Sequence, residues 1–499
     1  MIKEQPVITD DSKITRIRAD HVLGWDGTDH VLITGGEVVY RGATILHVGH
    51  GWSGPVDEDL DAGPSVIMPG FIDLDALADI DHCLLDSWAD RDVSGSFNWD
   101  ADYVPRRRHV FDQRQRAIVR EFAIAQLARH GVTTFMPIAS EVHSAWAETY
   151  EDFVDVVEIT RRIGLRGYLG PSYRSGVNVV TDHGPDVHRE EELGRAGLAD
   201  AVRFIEYVNG LDLDLVRPAL LPCRIETLTP DLMRATAEAA RHYDVPVRLH
   251  CLQSPAEEPY LQRWYGMGVI DTLEETGLLG TRLLIPHGKT LGDLRDPAVA
   301  AGPDVRRLVA AGVPIIHCPL TSARYGGALH TFEAYRKAGL TMVLGTDSFP
   351  PDLVRGIDVG VQVAKIIDGR LSAGNIADYL RAGTATGADV LGRPDLGRLA
   401  PGCAADLVVA DLGDFATGVV EDPIRTLIVN GSGRDITRTV VAGRTVMLDG
   451  VVLGVDQDQL ARQAQELFGL MRQAYGERDR LGRSADQLFP PTYRREPRP

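Results

Sequence analysis

From Ile14 to Met68, short runs of alternating apolar and polar residues are punctuated by glycine (TRIRADHVLGWDG, HVLITGGEVVYRGATILHVG, PSVIMPG), which predicts a β-meander. A second tract of the same kind, GRLAPGCAADLVVADLGDF followed by TRTVVAGRTVMLDGVV, runs from Gly397 to about Leu453. Two β-rich tracts bracketing a long middle predict one small composite β-sandwich built from both chain ends, residues 1–68 and 396–455.

Between them, over residues 69–395, a short apolar run followed by an amphipathic helical stretch repeats along the chain, the pattern of βαβ units in a parallel sheet. The runs are VIMPGFIDLDAL, GVTTFMPIAS, GLRGYLGPSY, VRPALLPCRI, VPVRLHCLQ, TRLLIPHGK, GVPIIHCPL and LTMVLGTDS, with helices such as DLMRATAEAARHY and PDVRRLVAAG between them. Eight such strands predict an α/β fold, a (β/α)8 TIM barrel as the catalytic domain. The loop after the first strand is long and carries Trp88, Phe97, Trp99 and Tyr103 before the basic run Arg106, Arg107 and Arg108. It reads either as a solvated insertion or as a lid or substrate wall, because loops that follow barrel strands lie over the active-site face. Residues 456–499 form a C-terminal helical extension. Its amphipathic stretch QLARQAQELFGLMRQAY is expected to pack on the barrel exterior or on a neighbouring subunit, and a homo-oligomer is expected.

Composition narrows the function. The 499 residues are 44% hydrophobic and 25% charged, enough for a large core. Lys and Arg total 52 against 71 Asp and Glu, and the net charge of -19 disfavours nucleic acid and anionic membranes as partners. The five cysteines (Cys83, Cys223, Cys251, Cys318, Cys403) include no CxxC pair and suit reduced thiols. With a polar N-terminus and no apolar run near ~18 residues, the chain reads as a cytoplasmic enzyme acting on a small molecule.

Candidate chemistry sits where apolar runs end. His250 closes VPVRLH, His287 closes RLLIPH and Asp347 closes MVLGTD, so each side chain is expected at the C-terminal mouth of the barrel. One such histidine reads equally as a hydrogen-bonded core residue. Two imidazoles and a carboxylate together suit a divalent cation such as zinc, with cobalt, iron or manganese as alternatives.

The series IMPGFIDLD, RLHCLQS, IPHGK, HCPLTS and LGTDS, with ATGADVLG and LAPGCAADLVV after it, resembles the ordered strand-end motifs of the amidohydrolase superfamily, especially the branch of cytosine deaminases and triazine hydrolases. The resemblance implies the barrel, the composite sandwich and a metal-dependent hydrolase. It also exposes departures. The family writes PGFID, one residue, then His-x-His, whereas this chain has Leu74, Asp75, Ala76 and Leu77. Alternation puts Asp73, Asp75 and Leu77 on one face, so Asp75 takes the first ligand position and Leu77 cannot serve as the second. No lysine ends strand four (LLPCRIE), so a bridging carbamylated lysine has no candidate and one metal ion is expected. His82 is either a substitute ligand or a solvated loop residue.

Deaminases of that branch place a proton-shuttling Glu three residues after the strand-five histidine; here the position is Gln253, which cannot carry a proton. The implied activity is therefore cleavage of a non-peptide C–N bond of the amide, urea, carbamate or thiocarbamate type by water activated on the ion. The implied ligands are His250, His287, Asp347 and Asp75. Asp347 moves the proton, His287 polarises the carbonyl, and Gln253 orients substrate or water. Substrate contacts are expected from Trp88, Tyr173, Arg174, Arg224 and His317. The alternatives are a heterocycle deaminase or dehalogenase of the same superfamily, and a catalytically inactive scaffold.

Overall fold

The computed structural model of the chain describes residues 13–80, 99–138, 143–211, 213–329, 332–494 and 496. All eight apolar runs of the middle region form strands: β1 (Phe71–Ala76), β2 (Val132–Pro137), β3 (Arg166–Leu169), β4 (Val216–Pro218), β5 (Val247–Arg248), β6 (Leu283–Pro286), β7 (Ile315–His317) and β8 (Met342–Leu344). Each is buried along its whole length apart from Arg217, as expected for strands covered by helices on one side and by one another on the other.

The strands make two four-stranded parallel sheets, β1-β2-β3-β4 and β5-β6-β7-β8, where the sequence predicted one closed barrel. The ladder is interrupted at two seams for identifiable reasons. Between β4 and β5, Pro218, Pro222 and Pro246 have no N–H to give, and the ladder is replaced by isolated bonds beyond the end of β4, Leu220 N–H to the Pro246 carbonyl (2.9 Å), Arg248 N–H to the Leu220 carbonyl (3.0 Å), His250 N–H to the Cys223 carbonyl (3.3 Å) and Ile225 N–H to the His250 carbonyl (2.9 Å). Between β8 and β1, a side chain takes the place of a ladder acceptor: the Thr346 N–H donates to Asp73 Oδ1 (3.0 Å), and the next amide, Asp347 N–H, donates to the Asp75 carbonyl (2.8 Å).

Both chain ends meet in a seven-stranded sheet. Leu407–Asp411 runs antiparallel beside Ser65–Pro69, with Val409 opposite Ile67, and the sheet continues through His21–Trp25 on one side and Ile436–Val441 on the other. A four-stranded sheet of Thr44–Gly49, Glu37–Arg41, Ile14–Arg18 and Glu58–Asp61 shares its apolar core with this one, through Ile17, Val38 and Tyr40 against Ile67, Leu407 and Val440.

The helix Gln113–Arg129 begins at a capping box of Asp112 and Gln115. The amphipathic C-terminal stretch forms a helix, Gln457–Tyr475, whose Leu467, Met471 and Tyr475 pack with Phe111 and Val119, so its apolar face is covered by its own chain. Among the described residues, no helix is long and apolar enough to cross a membrane.

Candidate active site

Four strand ends deliver the polar residues. Asp75 is the penultimate residue of β1, His250 follows β5 by two residues, His287 follows β6 directly, and Asp347 lies three beyond β8. One donor atom from each of Asp75, His250 and His287 lies within 4.8 Å of the other two. His250 Nε2 is 3.5 Å from Asp75 Oδ2, and His287 Nε2 is 3.7 Å from Asp347 Oδ2. The fourth expected residue therefore borders the cluster of three.

The backbone is forced to make this arrangement. His287 (φ 71°) and Asp347 (φ 40°) both occupy the left-handed region, which residues with a Cβ adopt at a cost of about 1–3 kcal/mol. Surrounding bonds hold them there: the His287 N–H donates to the Ile316 carbonyl (2.8 Å), the Tyr335 hydroxyl to the Gly288 carbonyl (2.6 Å), and the Thr321 hydroxyl to the Asp347 carbonyl. Gly345 is required by close approach, since a Cβ there would stand 2.6 Å from the Asp75 Cβ.

Alternation along β1 does not survive intact. The register with β2 shifts, pairing Phe135 with Asp73 but Pro137 with Ala76, so β1 spends one extra residue at the Asp75 bulge. Asp73 turns to Thr346, whose hydroxyl (2.6 Å) and N–H (3.0 Å) both donate to it, and burial pushes its carboxyl up to about 7 against those bonds. For Asp75 burial acts in the same upward sense, but His250 and Arg248 beside it outweigh that and hold the carboxyl well below its usual range. Burial lowers the pKa of both His250 and His287, His287 also through the neighbouring His250. Leu77 is fully buried.

The chemistry of this donor set fits a divalent cation. Two imidazoles and a carboxylate converge, and both ring nitrogens of His287 are buried without a hydrogen-bond partner among the described residues, an arrangement that is costly unless something else binds there.

The remaining residues singled out from the sequence divide. Arg224 and Gln253 are brought together, the Arg224 guanidinium donating to the Gln253 carboxamide oxygen. His317 is buried, held down to about 3 by burial and by Lys289, and lines a small cavity with Leu329, Phe332 and Tyr379. Tyr173 is not brought to the site: it is buried in the main core with its hydroxyl 2.9 Å from Thr236 Oγ1, because alternation through Ser172 turns it to the helix layer. Arg174 lies over the rings of Trp99 (5.5 Å) and Trp146 (5.7 Å), in an aromatic cluster with Tyr103 that belongs to the wall of the fold. The basic run is equally structural, with Arg107 paired to Glu190 and Arg108 to Glu477. Trp88 and His82 lie outside the described residues.

Three groups at the site were missed. Arg248 is fully buried with Nη1 3.0 Å from Asp75 Oδ1. Half-buried Lys289 has its pKa lowered by burial, with Asp347 opposing. Glu257 accepts the Gln253 (3.0 Å) and Ser254 (2.9 Å) N–H groups, and burial together with Glu226 pushes it up to about 7. Strand spacing could have found the first two, at two residues before His250 and two after His287.

Comparison with known proteins places these features in context. The profile of the amidohydrolase family matches residues 66–446. A 5-methylthioadenosine/S-adenosylhomocysteine deaminase of Pyrococcus abyssi is 26% identical over 447 residues, 87% of this chain and 94% of that protein. An 8-oxoguanine deaminase of Pseudomonas aeruginosa is 27% identical over 439 residues, 87% of this chain and 92% of that one. Among solved structures, a zinc-bound adenosine deaminase from Xanthomonas campestris superposes with a TM-score of 0.73 at 18% identity, over 92% of this chain and 99% of that one. A zinc complex of atrazine chlorohydrolase from Arthrobacter aurescens gives 0.71 at 19% identity, over 91% and 99%. At these identities the structural likeness speaks for the fold.

Proposed function

The chain belongs to the amidohydrolase family, and from that premise we propose that it hydrolyses a non-peptide C–N bond of a small molecule at the cluster of Asp75, His250, His287 and Asp347. The proposal takes residues 69–395 as a (β/α)8 barrel closed across its two seams, residues 1–68 and 396–455 as a composite β-sandwich, and residues 456–499 as an extension.

The observation that carries the reading is the convergence of Asp75, His250 and His287 with both nitrogens of His287 left without a hydrogen bond. These three would hold one divalent ion, zinc before cobalt, iron or manganese, with Asp347 at the remaining side. When bound, the ion supplies Lewis acidity that makes water a nucleophile near neutral pH and polarises the scissile carbonyl. Asp347, fixed by its backbone bond to Asp75, accepts the proton of the attacking water and returns it to the departing nitrogen. Arg224 occupies the oxygen of Gln253, which leaves the amide NH2 group to donate to substrate. Neither atom of that carboxamide can relay a proton to a ring nitrogen. This favours amides, ureas, carbamates and thiocarbamates, whose leaving nitrogen can take its proton from Asp347. Arg224 and His317 are the substrate contacts of this reading.

A second reading, deamination or dehalogenation of a heterocycle, is favoured by the relatives, since both proteins compared above by sequence are named deaminases. An inactive scaffold is disfavoured by the burial together of Asp75, His250 and His287 with both nitrogens of His287 unbonded, a costly arrangement for a group with no ligand to hold. Product analysis on a panel of both substrate types tests the proposal. An amine plus an acid, formed by protein that loses turnover to a chelator and regains it with zinc, supports it; ammonia or chloride from an azine ring moves the assignment to the second reading.

A further inference from the structure

β5 brings a second ionisable residue into the same space. Arg248 precedes His250 by two residues, both side chains reach the Asp75 carboxylate, and the Arg248 side chain is only 1% exposed. Its Nη1 stands 3.0 Å from Asp75 Oδ1, whereas the other carboxylate oxygen, Oδ2, is the one facing His250 Nε2 (3.5 Å) and Cys318 Sγ (3.6 Å). The contact is an ion pair, and Arg248 Nε and Nη1 have no hydrogen-bond partner among the described residues. A buried guanidinium so poorly bonded is an expensive way to fill volume, since an apolar side chain of similar size does so without desolvating a charge. Its purpose must lie in the charge itself.

We propose that Asp75 and Arg248 form one composite ligand unit. Asp75 offers Oδ2 to the ion, while Arg248 stands at Oδ1 and cancels the carboxylate charge. The pair then presents to the cation a ligand of no net charge, as a neutral imidazole would. Arg248 is a positioning residue in this scheme: it limits Asp75 to one oxygen and preserves the ion's positive charge for the substrate, at the expense of binding the ion less tightly. The inference rests on the reading that Asp75, His250 and His287 hold a divalent ion.

The test is zinc affinity, measured on the full-length chain by competition with a chromophoric chelator at fixed pH, with circular dichroism and thermal unfolding confirming the fold of each variant. Arg248→Met removes the compensating charge and should bind zinc about tenfold more tightly or better. Arg248→Lys, which keeps the charge, should stay within about threefold of wild type. Asp75→Asn should weaken binding, and the double variant Asp75→Asn/Arg248→Met should return toward the wild-type value. If Arg248→Met does not fold, Arg248→Gln carries the same expectation, because it is neutral and still polar. Affinity unchanged or weakened in a folded neutral variant overturns the proposal while leaving the metal site standing. A wild-type protein that takes up no zinc overturns the metal reading itself, and the inference with it.

Discussion

The backbone N–H of Asp347 donates to the carbonyl oxygen of Asp75 across 2.8 Å, so the ends of the last and first parallel strands, and the two carboxylates they carry, are fixed to each other. Asp347→Asn keeps that backbone bond and the side-chain shape while removing the proton acceptor. Turnover should fall on the order of a thousandfold, the scale of losing a principal electrostatic catalyst, with melting temperature nearly unchanged. His250→Ala should do the same through loss of a ligand. Steady-state kinetics beside a melting curve checks both, and an active variant of normal metal content would show the proton acceptor to be another group.

Gly345 carries a steric prediction. A methyl group there would sit 2.6 Å from the Asp75 Cβ and 3.0 Å from its backbone nitrogen, and backbone cannot swing aside as a side-chain end can. Gly345→Ala should cost about 1–3 kcal/mol, as overpacking does, and weaken zinc binding by displacing Asp75. A variant with wild-type melting temperature and affinity would mean that the strand end is not tightly packed.

Glu257 gives a pH dependence with a definite sign. Burial and Glu226 raise its folded-state pKa from 4.5 to about 7. The stability tied to its bound proton is therefore full below about 4.5 and lost as pH rises through about 7, by at most about 3.5 kcal/mol at ~1.4 kcal/mol per unit. Glu257→Gln retains an acceptor for the Gln253 and Ser254 N–H groups without titrating. Its melting temperature should decline less than that of wild type across that interval; parallel profiles would contradict the assignment.

Arg224→Ala releases the Gln253 carboxamide. If the two residues orient substrate and take no part in proton transfer, KM should rise about tenfold, the worth of one charge-assisted hydrogen bond, with kcat within about threefold. A loss confined to kcat would place Gln253 in the chemical step.

Much of this architecture was legible in the sequence because its signals are local. Each apolar run of the middle region became a strand, and a polar residue directly after such a run, as at His287, has only the strand end to occupy. The interrupted ladder was harder to read, since it depends on prolines 218, 222 and 246 facing one seam and on Asp73 taking the amide of Thr346. Tyr173 was misplaced because a two-residue strand, Ser172–Tyr173, gives alternation too little length to fix which side faces inward. The stretch with Trp99 and Tyr103 reads in sequence as either a solvated insertion or a substrate wall; both rings are buried against Val177 and Val179 of a hairpin that the apolar pattern did not separate from the adjacent loops. Arg248 was passed over inside an apolar run, although its spacing from His250 already put it on the ligand face.

If Asp75, His250 and His287 hold a single catalytic cation, elemental analysis of the purified protein must find it. Wild type should carry about one equivalent of zinc, cobalt, iron or manganese per chain, falling to a small fraction in a folded His250→Ala/His287→Ala variant. A wild-type protein that carries no divalent metal, and takes up none when zinc is supplied, would contradict it.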